Sequence, residues 1–133
     1  FNNTRLFGGI AIRHPEANFP KVKMVKLDDE IIKRNLLPPY FLKFDTHGFE
    51  VPILNGLDET LKQTELVVME VYNFKSGTEG LKFQDMIALM ETKGFLPIDM
   101  VDHMHRIRDK AFWQMDVFFV RSSRKEFESA QYE

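Results

Sequence analysis

Two acidic residues stand where an apolar run stops. Asp45 follows the run YFLKF at residues 40–44, and Glu70 falls near the end of LVVMEV at residues 66–71. If those runs are strands of an α/β sheet, both carboxylates reach the side where such sheets bind ligands, beyond the carboxyl ends of the strands. A carboxylate in that place can orient a hydroxyl, hold an ammonium or accept a proton. Thr46, His47, Gly48 and Glu50 lie in the turn after Asp45, and Tyr72 and Asn73 come directly after the second run. Plainer roles stand beside these. Either acid can cap the helix that follows it, His47 can be a solvated turn residue, and Glu50 suits the positive end of a helix with no further task.

A second concentration of polar groups lies at residues 102–114 (DHMHRIRDKAFWQ), which hold two His, two Arg, one Lys and the chain's single Trp. Long connections of this kind often cover active sites. This one can present cations to an anionic substrate or be a solvated hairpin tip. His103 and His105 are two apart, and no carboxylate–histidine pattern around them resembles a metal site, so the sequence assigns no metal.

The elements that must position these residues are legible from periodicity. KVKMVKL at residues 21–27 alternates apolar and basic residues and predicts a half-buried strand. Asp28 then occupies an N-cap position ahead of a short helix that Pro38-Pro39 ends. After the run at 40–44, a helix is expected over residues 50–62, with Pro52 in its first turn and Leu54, Leu57 and Leu61 on one face. Gly56 weakens it by up to about 1 kcal/mol relative to Ala. LVVMEV is nearly continuous in apolar residues, as a strand buried on both faces should be. Phe83, Met86, Ile87 and Met90 space as one face of a helix closed by Gly94. Strands over 95–101 and 115–121 complete the order. Pro97 cannot donate to a ladder and puts the first of them at an edge, while MDVFFVR has the apolar density of an interior strand. RLFGGIAI at residues 5–12 reads as a short strand interrupted by Gly8 and Gly9. Residues 1–20 are otherwise an irregular lead-in, and 122–133 a polar tail expected to fray. Alternating strands and helices imply an α/β fold with a mainly parallel sheet. Its last two strands, joined without a helix, form an antiparallel hairpin.

Composition narrows the function classes. At 133 residues the chain is one domain's worth, and its 44% hydrophobic and 29% charged residues suit a soluble globular core. A net charge of −2 gives no electrostatic reason to expect nucleic acid or anionic membrane as a partner. Absence of cysteine excludes disulfides and thiolate metal sites and leaves the compartment open, with the cytoplasm as the default. No apolar run approaches the roughly 18 residues that cross a bilayer, and no secretory signal opens the chain. The first residue is Phe1 rather than Met, from which a fragment is expected.

LKFDTHGFE at residues 42–50 closely resembles the LKIDxxGxE segment of FkbM-type methyltransferases, and VPILNG follows it as that family's apolar residues and Gly do. Three further pieces occur in the family's order. Residues 26–30 (KLDDE) are similar to its TLDEL segment, with Lys in place of Thr. Residues 66–71 are similar to its LIIEV strand, and residues 114–121 (QMDVFFVR) to its closing DxVFVR strand. The resemblance runs from about Val22 to Arg121.

What the resemblance implies is a Rossmann-like methyltransferase sheet whose antiparallel final strand lies between its two predecessors. Residues 1–133 are then the C-terminal part of one class I domain whose N-terminal part is missing. It implies an S-adenosyl-L-methionine-dependent enzyme that methylates a hydroxyl of a small molecule or sugar by in-line displacement at the sulfonium carbon. The protein's task is positioning, desolvation and a base for the hydroxyl proton. Asp45 is the residue expected nearest that chemistry, with Glu50 and Glu70 in support, and Asp45, Thr46, His47 and Gly48 form the turn expected against the cofactor. The family's glycine-rich loop and ribose-gripping acid belong upstream of Val22, and Gly8-Gly9 has no strand–GxGxG–helix context. The chain by itself is therefore expected to bind S-adenosylmethionine weakly or not at all. Two other readings compete. A non-catalytic α/β interaction module would aim Asp45, Glu50 and Glu70 at separate helix caps instead of one cleft. A metal-dependent phosphoesterase, prompted by Asp45-Thr46-His47-Gly48, would need further Asp, Asn and His clusters that the downstream chain lacks.

Overall fold

The computed structural model describes residues 2–4, 8–10, 23–76 and 79–133. Two three-residue strands, β1 (Asn2–Thr4) and β2 (Gly8–Ile10), pair antiparallel. Gly8 and Gly9 are thus part of a strand and do not interrupt one, while the rest of the lead-in falls outside the described residues. Then come α1 (Leu27–Arg34), β3 (Tyr40–Phe44), α2 (Glu50–Leu54), α3 (Asp58–Lys62), β4 (Thr64–Tyr72), α4 (Phe83–Thr92), β5 (Phe95–His105) and β6 (Phe112–Arg121).

The main sheet has the order β3-β4-β6-β5. β3 and β4 are parallel, and β6 runs antiparallel to both β4 and β5. Three of the four strands therefore point one way, and the last strand in sequence is inserted between its two predecessors. Pro97 lies on the edge strand β5, and β6 is interior, as the two compositions demand. Of the pairings in this sheet only β3/β4 is parallel, so the mainly parallel character lies in strand direction more than in the ladders.

Period-two alternation sorts the strands into faces. Val67, Met69 and Val71 of β4, with Met115, Val117 and Phe119 of β6, point to one side and are buried. Leu54, Leu57 and Leu61 from α2, α3 and the bend between them, together with Met86 and Met90 of α4, cover that side. Burying each such side chain contributes roughly 1.5–3 kcal/mol. Lys43, Glu70 and Asp116 occupy the other side. Gly94, at φ +81, closes α4 in the left-handed conformation that glycine reaches without strain.

Four expectations are corrected. Residues 23–26 form no strand, and residues 21–22 lie outside the described region. Met24 and Val25 are exposed, and among the described residues no strand pairs with this segment. Asp28 lies inside α1 and does not cap it. Its carboxylate instead accepts the backbone N–H groups of Glu59 (3.1 Å) and Thr60 (2.8 Å) and the Thr60 hydroxyl, capping α3 from another element. The single helix over 50–62 is two short helices broken at Asn55-Gly56, both poor helix formers. The break turns Leu57 fully inward and exposes the α3 N-terminus to Asp28. Finally, residues 102–114 are mostly strand, leaving only 106–111 as the hairpin tip. Past Arg121 the tail is largely exposed apart from one 3₁₀ turn, Lys125–Phe127.

Candidate active site

Parallel pairing explains why two distant acids meet. Phe44 of β3 lies opposite Met69 of β4, so the next residues, Asp45 and Glu70, emerge side by side at the carboxyl ends of the two strands. Between them sits His47. Its Nε2 is 3.6 Å from Asp45 Oδ1 and its Nδ1 is 3.0 Å from Glu70 Oε2. Nδ1 is also 2.6 Å from the Tyr72 hydroxyl, which itself donates to Glu70 Oε2. The other Glu70 oxygen accepts from Gln114 Nε2 on β6. Glu70 thus has partners on three strands or turns, and the whole group belongs to one network.

The turn that presents His47 is strained and clamped. His47 has φ 53 and Gly48 φ 105, two successive residues in left-handed space. A Cβ on Gly48 would lie 2.5 Å from the Ser76 carbonyl oxygen, so only glycine fits. The Ser76 hydroxyl donates to the His47 carbonyl (3.0 Å). Glu50 is 97% shielded from solvent, and its carboxylate accepts from the Gly48 N–H at 3.0 and 3.1 Å and from the Thr46 hydroxyl at 3.0 Å. Glu50 therefore holds the turn from beneath and does not face the opening.

Exposure separates the two acids. The Asp45 side chain is 54% exposed and pairs with Lys43 Nζ at 3.3 Å, whereas the Glu70 side chain is 13% exposed. Burial first, then the bond to Glu70, pushes the Tyr72 phenol well above its ordinary range, so it stays protonated as a donor. Burial also pushes Asp116 up, opposed by Lys43 and aided by Asp102 and Asp45. Asp116 faces Glu70 across the β4/β6 ladder. This end of the sheet is rich in acceptors and suits a positively charged ligand.

Of the residues expected at the site, Asp45, His47 and Glu70 come together, with Thr46 and Gly48 forming the turn beneath them. Glu50 is drawn inward. Gln114 and Lys43 carry contacts that the sequence reading did not assign, and the β4/β6 register was the signal for Gln114, since Tyr72 lies opposite it. One ligand-type atom from each of Asp45, His47 and Glu70 falls within 4.8 Å of the others. The two carboxylates, however, address different ring nitrogens, and only Glu70 lies within hydrogen-bond distance of the ring. His103 and His105 stay exposed on the hairpin, away from this group.

The hairpin does reach the site. Trp113 packs edge-on to Tyr72 at 6.2 Å and stacks on Phe74 at 5.4 Å, with the Arg106 guanidinium 4.1 Å from the Phe74 ring centre. Asn73 is tied to the same hairpin, its N–H donating to the Trp113 carbonyl at 2.9 Å. Among the described residues no helix is long and apolar enough to cross a membrane.

The mixed α/β sheet places carboxylates and an imidazole at its parallel strand ends, where open sheets of this kind bind ligands. The model of the methyltransferase FkbM domain matches residues 7–97, more than half of the chain's 133 residues, and the chain belongs to that family of methyltransferases. Neither the curated proteins nor the solved structures give a match.

Proposed function

We propose that this chain is the C-terminal part of an S-adenosylmethionine-dependent O-methyltransferase acting on a hydroxyl of a small molecule or sugar. The observation that carries the reading is the convergence of Asp45 and Glu70 on His47 at the carboxyl ends of β3 and β4, in a chain of the FkbM family. Separate helix caps, the arrangement suited to a non-catalytic module, are not what these two acids form. On this reading the four strands are the later half of a Rossmann-like sheet, and upstream strands would add beside β3, which is an edge among the described residues.

The donor set suits part of the cofactor. Asp45 offers an exposed carboxylate, and Glu70 and Asp116 add negative charge, all favourable to an ammonium or sulfonium cation. The Asp45 carboxylate and the backbone of the turn 45–48 would lie against that end of the molecule, which leaves the His47 ring free of it. When bound, S-adenosylmethionine supplies an electrophilic methyl group on sulfur. The chain's own work is to align the acceptor hydroxyl, exclude water beneath the Trp113 hairpin and receive a proton in the neighbourhood of Asp45. Glu50 keeps the turn in place and Glu70 keeps His47 in place.

The test is calorimetric titration of the full natural chain with S-adenosylmethionine, followed by release of S-adenosylhomocysteine with a panel of small alcohols and sugars. Micromolar binding and acceptor-dependent release are expected, with release reduced in Asp45→Ala. A folded full chain that binds no S-adenosylmethionine would leave the interaction-module reading in its place.

A further inference from the structure

Proton counting in the network fixes more than the neighbourhood of the chemistry. Tyr72 has one hydroxyl proton, and it goes to Glu70 Oε2. Glu70 is an acceptor on both oxygens, taking Tyr72 on one and Gln114 on the other. His47 Nδ1 lies 2.6 Å from the Tyr72 oxygen and 3.0 Å from the Glu70 oxygen. With both neighbours' protons already placed, a bare Nδ1 would set a lone pair against two more oxygens. Nδ1 must therefore carry hydrogen, and the neutral ring is left with its acceptor at Nε2.

Nε2 points the other way, toward Asp45 Oδ1 at 3.6 Å, just beyond hydrogen-bond reach. Two acceptors thus face one space with no proton between them. A hydroxyl entering that space supplies the missing donor. The His47 side chain is 21% exposed, enough for such access, while its backbone is held in left-handed space by the Glu50 clamp and Ser76.

We propose that His47, and not Asp45, is the catalytic base: Nε2 takes the proton of the acceptor hydroxyl, with Glu70 and Tyr72 as positioning residues that fix the tautomer. This deepens the methyl-transfer reading and rests on it. The acceptor oxygen forms a bond to the methyl carbon as the sulfur–carbon bond breaks, and that bond's electron pair stays on sulfur, giving a neutral thioether. The hydroxyl proton passes to Nε2, and the imidazolium later releases it to water. Once charged, the ring lies between Asp45 at Nε2 and Glu70 at Nδ1, so both ends of the cation meet a carboxylate. Imidazole as a class takes protons roughly two pH units above a carboxylate, closer to neutral conditions, which makes it the better base for a hydroxyl. Asp45, exposed and engaged by Lys43, serves to hold the hydroxyl and to steady the cation.

Long-range nitrogen–proton correlation spectra of the full natural chain read the tautomer directly. At pH 8 the His47 ring is expected to show a protonated Nδ1 and a bare Nε2, and Glu70→Gln should mix the tautomers. A dominant Nε2–H form in the native protein would overturn the proposal while leaving methyl transfer untouched. S-adenosylmethionine is then titrated into the native chain and into His47→Asn, chosen because Asn tolerates left-handed backbone. Affinity within about twofold is expected, since a base for the acceptor does not hold the donor. Binding weakened tenfold or more would make His47 a cofactor contact and overturn the proposal. No binding to either protein would sink the methyl-transfer reading, and the base with it. Stoichiometric micromolar Zn2+ uptake that shifts the His47 nitrogens would make the cluster a metal site and equally overturn it.

Discussion

The turn at residues 45–50 and the hairpin tip at residues 106–111 are both crowded with polar side chains, yet they are wired differently. In the turn, His47 bonds residues 25 positions away, Ser76 reaches back 29, and the same network extends through Gln114 to Glu70 across 44. In the tip, bonds are local: Arg106 to Asp109, Asp109 to the Ala111 N–H, Lys110 to the Arg106 carbonyl. Ile107 and Arg108 point into solvent. Charge density in a sequence therefore does not mark a site. What distinguishes the candidate site is polar groups committed to partners on other elements, which fix their geometry through the fold.

The sharpest test of that contrast is turnover. Once an acceptor is in hand, His47→Asn should lower S-adenosylhomocysteine release by about 10²–10⁴-fold, the usual contribution of a positioned base. Arg108→Ala at the tip should change it less than about twofold, because surface substitutions away from buried partners have small effects. Equal losses at the two positions would erase the distinction.

Stability comes next. Gly48→Ala places a Cβ 2.5 Å from the Ser76 oxygen at φ +105, and a loss of about 3 kcal/mol is expected by denaturant unfolding. Glu50→Ala removes the buried acceptor of the Gly48 N–H and the Thr46 hydroxyl, for about 2 kcal/mol. A loss below about 0.5 kcal/mol in either would mean that the turn is not clamped as described.

Much of the frame was legible because it follows from period and punctuation. The nearly continuous apolar run LVVMEV, the apolar density of MDVFFVR and Pro97 at an edge fix three strands, and the four ordered pieces of sequence identify the family. The misreadings share a cause. KVKMVKL alternates like a strand, but its residues 23–26 pair with no strand among the described residues, and a neighbour is not a local property. Asp28 has the right residue type for a cap, and it is one, but for α3 across the fold. Asp45 and Glu70 were found from strand ends alone. The inward turn of Glu50 and the bridging place of His47 depend on the left-handed pair His47-Gly48, which sequence spacing does not encode.

The tip can be probed by the inverse substitution. Lys110 sits at φ 60, where a side chain costs about 1 kcal/mol that glycine avoids. Its N–H bond to Arg106 is backbone and survives the change. Lys110→Gly should therefore be neutral or raise stability by up to about 1 kcal/mol, where Gly48→Ala is sharply destabilising. A clear loss in Lys110→Gly would show that the tip is held by its side chains as the turn is.

The smallest effect is local and depends on pH. The Ala111 N–H bond, with burial opposing and Arg106 assisting, holds the Asp109 carboxyl below its ordinary value of 3.8. A depressed folded-state value means that the stabilisation is complete above about pH 4 and disappears as pH falls through the lower folded value. Amide exchange at Ala111 and Lys110 should accelerate, relative to an unstructured peptide, only in that acid range. Tyr72, pushed upward, works with the opposite sign: its bond to Glu70 persists to high pH and weakens only under strongly alkaline conditions. The Asp109 bond and the Tyr72 bond should thus weaken at opposite ends of the pH scale. Unchanged exchange at Ala111 across that acid range would mean that the Asp109 carboxylate does not hold the tip.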